Sequence, residues 1–282
     1  MWFDPDMEWF AASSSKPGRP TIFSDAAIQF CLTMKSLFGL ALRQTTGFVE
    51  SLLRLLGLDW RVPDFSTLSQ RQQTLNVQIP LQSRGDCLHL LVDSTGIKMM
   101  GEGEWKVKRH GAEYRRQWRK LHVGVDAQSG EICALEVTDN RTNDASVVPI
   151  LLSQIREERT ISNVTGDGAY DSRNCYEAIA QHGANAVIPT RRNASFWRPD
   201  KPGYKARNET LRAVKRLGRT IWKKWSGYHK RSLSETKMHL FKLLADKVKS
   251  KSLQSQITEL RICGAILNRF TEMGTPQTVR IS

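Results

Sequence analysis

Residues 228–242 have the sequence YHKRSLSETKMHLFK, a run of good helix formers without Gly or Pro. At about 100° per residue, Tyr228, Arg231, Glu235 and Lys242 fall within about 60° of one another on such a helix. One carboxylate among cations suits a site where a metal ion and phosphates meet. A solvated face with ordinary i,i+4 pairing of Arg231 with Glu235 would give the same pattern. The stripe alone leaves both interpretations open.

The charge distribution predicts a polyanionic partner. The 282 residues carry 42 Lys and Arg against 28 Asp and Glu, a net charge of +14. Residues 191–242 hold 16 basic and three acidic residues, and residues 98–120 hold eight basic and three acidic ones. Tryptophans are interleaved with these two basic blocks, at positions 105, 118, 197, 222 and 225. Basic residues mixed with aromatic ones are more typical of a nucleic-acid surface than of a lipid one.

No apolar run approaches the length of a membrane span, so no membrane partner is expected. The first ten residues, MWFDPDMEWF, have acids where a signal peptide has its basic region. We therefore expect a cytoplasmic protein. The five cysteines are scattered without a CxxC pair or zinc-type spacing, which favours reduced thiols and argues against a structural zinc.

Residues 1–23 are predicted to be an arm, and residues 24–80 a small all-helical domain. Ser24 or Asp25 can cap a first helix, and Thr45 or Thr46 a second. A short third helix that begins with Ser and Thr and carries Arg and Gln fits the recognition helix of a helix-turn-helix, although many three-helix bundles share this pattern. The DNA contacts predicted on it are Ser66, Thr67, Ser69, Arg71 and Gln72.

From residue 81 the pattern changes to strands. An apolar run ends at Asp93, and a later predicted strand leads to Asp167, which lies between Gly166 and Gly168. Taken alone, Asp93 is better interpreted as a cap on the turn than as a metal ligand. Asp171 is interpreted as the N-cap of the helix that follows it. The order of elements is β-β-β-α-β-α-β, then a basic insert at about 190–222, then the helix with Glu235.

In an RNase H-like layout, the first strand, the fourth strand and a late helix meet at one edge of a mixed sheet. We therefore expect an α/β fold in which residues 81–282 form an RNase H-like catalytic domain with a mixed five-stranded sheet and helices. The N-terminal domain is expected to be all-α and helix-turn-helix-like. Three carboxylates at that edge can hold two Mg²⁺ ions, because Mg²⁺ prefers oxygen ligands.

The chain resembles the DDE transposases of bacterial insertion sequences, in the insertion-sequence-five family, over nearly its whole length. The family signature Y-(2)-R-(3)-E-(6)-K is matched by Tyr228, Arg231, Glu235 and Lys242. LVDSTG at residues 91–96 resembles the first-Asp motif, and GDGAYD at residues 166–171 resembles the second. GEGEW at residues 101–105 resembles the stretch that follows the first Asp in the family.

The resemblance implies that Asp93, Asp167 and Glu235 bind the catalytic metal, two Mg²⁺ ions for which Mn²⁺ can substitute. Tyr228, Arg231 and Lys242 would then support the DNA near the cut. The implied activity is metal-dependent cleavage at insertion-sequence ends and strand transfer into target DNA. The implied partners are double-stranded DNA, both terminal inverted repeats and target, and further copies of the chain in a homo-oligomer. Further DNA contacts are predicted in the basic blocks at Lys106, Lys108, Arg109, Arg191 and Arg192.

Two other functions are compatible with these features. A nuclease of the same fold that cuts without strand transfer would share the three acids, so only its products distinguish it. A truncated or non-catalytic repressor of transposition would keep the helical domain and the charge, and it would bind DNA without Mg²⁺ and without cleavage.

Overall fold

The computed structural model describes residues 6–12, 21–82, 87–99, 118–199 and 202–274, which fall into two compact units. Unit 1 consists of Met1–Ile79 and Val248–Ile266, and unit 2 of Pro80–Lys247 and Leu267–Ser282. The sequence pattern did not indicate that residues from the C-terminal part of the chain belong with the N-terminal helices. The finer limits predicted for the arm, the helical domain and the basic insert stay predictions.

The described part of the chain is rich in both helices and strands. In chain order its elements are α1 (Asp25–Phe38), α2 (Leu42–Leu55), α3 (Phe65–Thr74), β1 (Cys87–Met99), β2 (Trp118–Asp126), β3 (Ile132–Asp139), α4 (Asp144–Ser153), β4 (Thr160–Thr165), a 3₁₀ helix (Gly168–Tyr170), α5 (Arg173–Gln181), β5 (Asn185–Val187), α6 (Tyr204–Leu217), α7 (Arg219–Trp225), a second 3₁₀ helix (Tyr228–Arg231), α8 (Ser232–Leu244), β6 (Lys247–Val248) and α9 (Leu253–Met273).

Unit 1 is helical, as predicted. Ser24 caps α1, since its side chain accepts a hydrogen bond from the backbone N–H of Ala27 at 3.0 Å. Gly39, at φ 66°, ends α1, and two further residues lead to α2. In the described part of the chain no single helix is long and apolar enough to cross a membrane, and α1 and α2 meet that test only as a pair bent by 108°.

The predicted caps of α2 are wrong. Its first residue is Leu42, and Ala41 precedes it without a side-chain cap. The side chain of Gln44 instead reaches back and accepts the backbone N–H of Ala41 at 3.0 Å. Thr45 lies inside the helix, where its hydroxyl donates to the Ala41 carbonyl at 3.0 Å. A glutamine at the third helical position thus takes the place expected for a threonine cap.

Unit 2 is built on a mixed sheet with the strand order β3-β2-β1-β4-β5. β1 lies at its centre and pairs antiparallel with β2 and parallel with β4, which in turn pairs parallel with β5. The predicted α/β fold class is therefore confirmed. The two-residue β6 was not predicted.

Helices α4 and α5 cover the sheet with apolar side chains. The buried cluster includes Leu90 and Val92 of β1, Val148 and Leu151 of α4 and Ile179 of α5. α4 begins one residue after its cap Asn143, whose side chain accepts the N–H of Ala145. Burial of these aliphatic groups, at about 1.5–3 kcal/mol each, fixes the two helices to the sheet.

Strand β1 is longer than predicted. The apolar run was expected to end at Asp93, but β1 continues to Met99, so that Asp93 lies at its midpoint. The reason is the ladder with β2, in which Asp93 is opposite Val123 and Lys98 opposite Trp118. These hydrogen bonds keep the backbone extended beyond the apolar run.

Candidate active site

The register of two parallel strands brings the first two acids together. Leu91 of β1 lies beside Thr165, the last residue of β4. Two residues further along each segment come Asp93 and Asp167. Because β1 and β4 run in the same direction, the carboxylates of Asp93 and Asp167 lie at the same edge of the sheet.

Asp93 is buried and hydrogen-bonded on both oxygens. Its Oδ1 accepts the backbone N–H of Ser94 at 2.9 Å, and its Oδ2 accepts the hydroxyl of Ser234 at 3.2 Å. Ser234 lies in α8, fully buried, and its hydroxyl also reaches the carbonyl of Arg231 at 2.8 Å. This serine therefore fixes the start of α8 against the central strand. Its role was missed in the sequence, although it lies one residue before Glu235.

Asp167 follows β4 and caps the first 3₁₀ helix, where its Oδ1 accepts the backbone N–H of Ala169 at 2.8 Å. Steric crowding explains why the residue before Asp167, Gly166, is a glycine. A Cβ there would lie 2.8 Å from Cδ2 of Tyr170 and 3.0 Å from Cγ2 of Val92. Only glycine lets the chain turn this close to β1 and present Asp167 beside Asp93.

The predicted continuous helix over residues 228–242 is partly wrong. Tyr228–Arg231 form a 3₁₀ helix, and α8 begins at Ser232. Glu235 lies in the first turn of α8 with its side chain 58% exposed. Lys242 is exposed in the last turn of α8, about two turns beyond Glu235. The change of helix type places Arg231 at the junction.

One guanidinium contacts all three predicted acids. Nη1 of Arg231 lies 2.5 Å from Oε1 of Glu235, and Nη2 lies 3.4 Å from Oδ2 of Asp93 and 3.8 Å from Oδ2 of Asp167. The i,i+4 pair proposed as the alternative to a site is thus present, but it is one edge of a larger cluster. The structure brings together carboxylates that are 74 and 68 residues apart in sequence (167 − 93 and 235 − 167).

Burial and charge act in opposite directions in this cluster. Burial raises the pKa of Asp93, and the charge of Arg231 opposes that rise. Burial lowers the pKa of Arg231, but the charges of Asp93, Asp167 and Glu235 oppose this, and the pKa of Arg231 lies above its ordinary value. Burial also raises the pKa of Tyr228, which keeps its phenol neutral. The Arg231 side chain is therefore a permanent cation among acids.

The donor chemistry of the cluster fits a hard divalent cation. All three side chains are carboxylates, the ligands that Mg²⁺ prefers. Within the described ranges, however, no group of three or more His, Cys, Asp or Glu side chains is arranged to hold a metal ion as it stands. The guanidinium of Arg231 is instead within ion-pair distance of an oxygen of each of the three acids.

Other predicted site residues lie near this cluster or outside the described residues. The predicted Tyr228 begins the second 3₁₀ helix, and its ring centroid lies 5.1 Å from Nζ of Lys223, which was not predicted as a site residue. Arg191 and Arg192 are exposed. Nε of Arg191 is 3.5 Å from the carbonyl of Gly168, next to Asp167. The predicted DNA contacts Lys106, Lys108 and Arg109 lie outside the described residues.

The polar residues predicted on α3 are engaged inside unit 1. Gln72 is 4% exposed, and its amide donates to Oγ of Ser250 at 2.8 Å and to the carbonyl of Ser255 at 3.0 Å. Arg71 donates to the carbonyl of Phe23 at 2.9 Å and is ion-paired with Asp25. These contacts weigh against base readout by Gln72 and Arg71, whose DNA-binding role stays a prediction.

The remaining α3 residues lie nearer solvent. Ser66 is exposed and donates to Oδ1 of Asp64, and the backbone N–H of Thr67 donates to the same oxygen, which makes Asp64 the cap of α3. Ser69 is exposed. Ser66, Thr67 and Ser69 stay predicted DNA contacts.

A buried ion pair that was not predicted anchors the basic insert. Asp171 accepts hydrogen bonds from Nε and Nη2 of Arg207 at 3.1 and 3.3 Å, and from the backbone N–H of Arg191 at 2.9 Å. The cap of α5 is Ser172, so the N-cap role interpreted for Asp171 is wrong. The guanidinium of Arg207 also lies 4.7 Å from the ring centroid of Trp197. No sequence signal marks this pairing across 36 residues.

The fold and the cluster define a class of protein. A mixed sheet with acids on its central strand, after the adjacent parallel strand and on a late helix is an RNase H-like domain of the DDE type. Two family models, both described as Transposase DDE domain, match residues 1–102 and residues 85–269. The chain belongs to the transposase DDE domain family.

One similar solved structure is described as a cryoEM structure of the simian T-cell lymphotropic virus intasome in complex with PP2A regulatory subunit B56 gamma. It is 14% identical, and the match covers 89% of this chain and 75% of that chain with a TM-score of 0.28. At that TM-score the likeness supports no conclusion about this protein.

Proposed function

We propose that this protein is a DNA transposase that cleaves phosphodiester bonds at the ends of an insertion sequence and transfers the freed strand into target DNA. The observation that supports this is the meeting of Asp93, Asp167 and Glu235 around one guanidinium, in a chain of the transposase DDE family. Water attacks the phosphodiester at the element's end and leaves a 3′-OH. That hydroxyl then attacks a phosphodiester of the target strand, whose 3′-oxygen leaves.

In this proposal Asp93, Asp167 and Glu235 hold divalent metal ions, two Mg²⁺ with Mn²⁺ as a substitute. The metal, when bound, activates the attacking oxygen and stabilises the leaving oxygen. Arg231 and Tyr228 lie close enough to bind and orient a phosphate at the carboxylate edge. Lys242 and the arginines at 191 and 192 supply further positive charge for the DNA backbone, and they carry no sequence information.

We further propose that the helix-turn-helix of unit 1 is formed by α1 and α2 rather than ending in α3. α1 and α2 are joined by only Gly39, Leu40 and Ala41 and are bent by 108°. A three- or four-residue turn with a glycine and an angle of about 90–120° is the helix-turn-helix geometry. α2 and α3 are instead separated by residues 56–64. We therefore assign the second, DNA-reading helix to α2, whose exposed positions include Arg43, Gln44, Gly47, Ser51 and Arg54.

Gly47→Ala separates DNA contact from folding. Gly47 is exposed within α2, and a Cβ there would meet nothing within 4 Å. Alanine is expected to stabilise the protein by about 0.5–1 kcal/mol, because Gly is a poor helix former. If α2 enters the groove, the same methyl group is expected to weaken DNA binding by about tenfold, or about 1.4 kcal/mol. Thermal unfolding and DNA titration in EDTA measure the two effects.

The matched control is Gln70→Ala, an exposed position on α3. It is expected to leave DNA affinity unchanged. A Gly47→Ala variant that is more stable and binds DNA as well as the parent would exclude close approach of DNA at Gly47 and argue against α2 as the DNA-reading helix.

The function is tested by cleavage and joining. The purified full chain is mixed with labelled duplexes carrying the sequences that flank its own gene, plus a target plasmid, in Mg²⁺ or EDTA. Mg²⁺-dependent nicks at the element's ends, followed by strands joined to the plasmid, are expected. Cut ends without joined strands would identify a nuclease. A metal-independent complex without any cut would identify a repressor. Because two ends must be held together, joined products are expected only from a homo-oligomer, formed in the cytoplasm where the DNA lies.

A further inference from the structure

The guanidinium of Arg231 occupies the centre of the carboxylate cluster, where a metal ion would have to bind. It is within 3.8 Å of an oxygen of Asp93, Asp167 and Glu235 alike. No metal-binding group of three such side chains is assembled in the described part of the chain. The negative charge of the three acids is therefore partly balanced by a cation of the protein itself.

We infer that Arg231 is an internal counterion that blocks the metal site until DNA draws it away, so that metal loading is coupled to DNA binding. The inference rests on the proposed function, because it takes the carboxylates as metal ligands and DNA as the partner. Arg231 and the metal would compete for the same three carboxylates. DNA would favour the metal-binding arrangement by giving the guanidinium a phosphate instead.

The contacts of Arg231 are suited to such an exchange. Its bond to Glu235 is short, at 2.5 Å, but its distances to Asp93 and Asp167 are 3.4 and 3.8 Å. Its Nε is buried and has no hydrogen-bond partner among the described residues. A guanidinium held by charge with an unused donor can gain hydrogen bonds from a phosphate, with which it forms a bidentate pair.

The backbone around Arg231 offers a pivot, and Asp93 keeps a partner after the exchange. Arg231 is the last residue of a four-residue 3₁₀ helix that begins after Gly227, which has φ 70°. Oδ2 of Asp93 also accepts the hydroxyl of Ser234 at 3.2 Å, a contact that does not involve the guanidinium. The carboxylate therefore stays oriented while its charge becomes available to a cation.

Coupling of this kind is reciprocal. If DNA strengthens metal binding by a factor, metal strengthens DNA binding by the same factor. A typical coupling is about 5- to 150-fold. The charge of the cluster is consistent with competition between Arg231 and a metal ion. Three carboxylates and one guanidinium carry a net charge of −2. When the guanidinium departs, the net charge becomes −3, which attracts a cation more strongly.

The test measures Mn²⁺ affinity directly, by electron paramagnetic resonance of the free ion, and needs no catalysis. Full-length protein is titrated alone and with an uncleavable duplex of the flanking sequence, and binding to the duplex alone is subtracted. For the parent, DNA is expected to tighten Mn²⁺ binding by about tenfold. Arg231→Gln is expected to bind Mn²⁺ about tenfold more tightly than the parent without DNA, and to gain little from the duplex.

Lys230→Gln is the matched control. It removes one positive charge at the neighbouring, exposed position, which makes no ion pair with the three acids in the described structure. It is expected to keep the parent's dependence on DNA. Arg231→Lys is the second variant, because an ammonium is a single point donor and cannot bridge three carboxylates. It is expected to give an intermediate Mn²⁺ affinity even if the glutamine variant fails to fold.

Two results would overturn the inference. One is parent protein that binds Mn²⁺ equally well with and without the duplex. The other is folded Arg231→Gln or Arg231→Lys protein that binds Mn²⁺ no more tightly than the parent. Neither result would disprove cleavage and joining, which are assayed separately. Conversely, protein that shows the coupling but never cuts would retain the inference and reject the transposase activity.

Discussion

Glu235→Gln is expected to lower the rate of Mg²⁺-dependent strand cleavage by about 10³-fold or more while DNA binding is retained. The substitution keeps the shape of the side chain and removes its charge. A metal ion supplies several kcal/mol of transition-state stabilisation, and each 1.36 kcal/mol is a factor of ten in rate. The side chain is 58% exposed, so the fold is expected to tolerate the change.

Single-turnover cleavage of an end-labelled duplex in Mg²⁺ measures this effect, and titration of the same duplex in EDTA measures binding. The matched control is Glu209→Gln, an exposed acid in α6 outside the cluster, which is expected to cut at the parent's rate. Cleavage by Glu235→Gln at the parent's rate would exclude Glu235 as a metal ligand. Loss of binding together with cleavage would point to a misfolded protein.

Asp171→Ala is expected to destabilise unit 2 by about 3–5 kcal/mol, the usual cost of leaving a buried charge without its partner. Asp171 and Arg207 are both buried, and two hydrogen bonds at 3.1 and 3.3 Å join them. The substitution also removes the acceptor for the backbone N–H of Arg191. The free energy of unfolding from a denaturant titration measures the loss.

Two controls separate charge from packing. Glu158→Ala removes an exposed acid and is expected to change stability by less than about 0.5 kcal/mol. The double variant Asp171→Leu with Arg207→Met replaces the pair by apolar groups and is expected to recover the part of the loss that comes from the unpaired charge, but not the hydrogen bond from Arg191. If Asp171→Ala costs less than about 1 kcal/mol, solvent reaches the pair and the insert is anchored by other contacts.

The three acids and the sheet were accessible from the sequence because each leaves a local signal. Asp93 ends an apolar run, and Asp167 lies between two glycines after a later predicted strand. Glu235 lies four residues after Arg231, on the same face of a helix. These patterns, together with the resemblance to a known family, predicted the mixed sheet and the grouping of carboxylates that the structure contains. Their catalytic and metal-binding roles stay predictions.

The remaining features depend on contacts between distant segments. The pairing of Asp171 with Arg207 and the burial of Gln72 against Ser250 and Ser255 join residues far apart in sequence, so no periodicity records them. The continuation of β1 past Asp93 comes from its ladder with β2 rather than from its own composition. The prediction of a reading helix at α3 was based on residue type, whereas the proposal for α2 is based on the short turn after Gly39, which residue type alone does not reveal.

The make-up of unit 1 has a consequence for biosynthesis. Gln72 is hydrogen-bonded to Ser250 across 178 positions, and Leu260 and Cys263 of α9 are buried in the same unit. A ribosome that has finished residue 79 must therefore add nearly all of the remaining chain before unit 1 can close, which takes roughly 10–40 s at typical elongation rates. Unit 1, which we propose binds DNA, would therefore complete its folding only after Asp93, Asp167 and Glu235 have been synthesised. A chain released early would lack both a finished core in unit 1 and the means to occupy the element's ends.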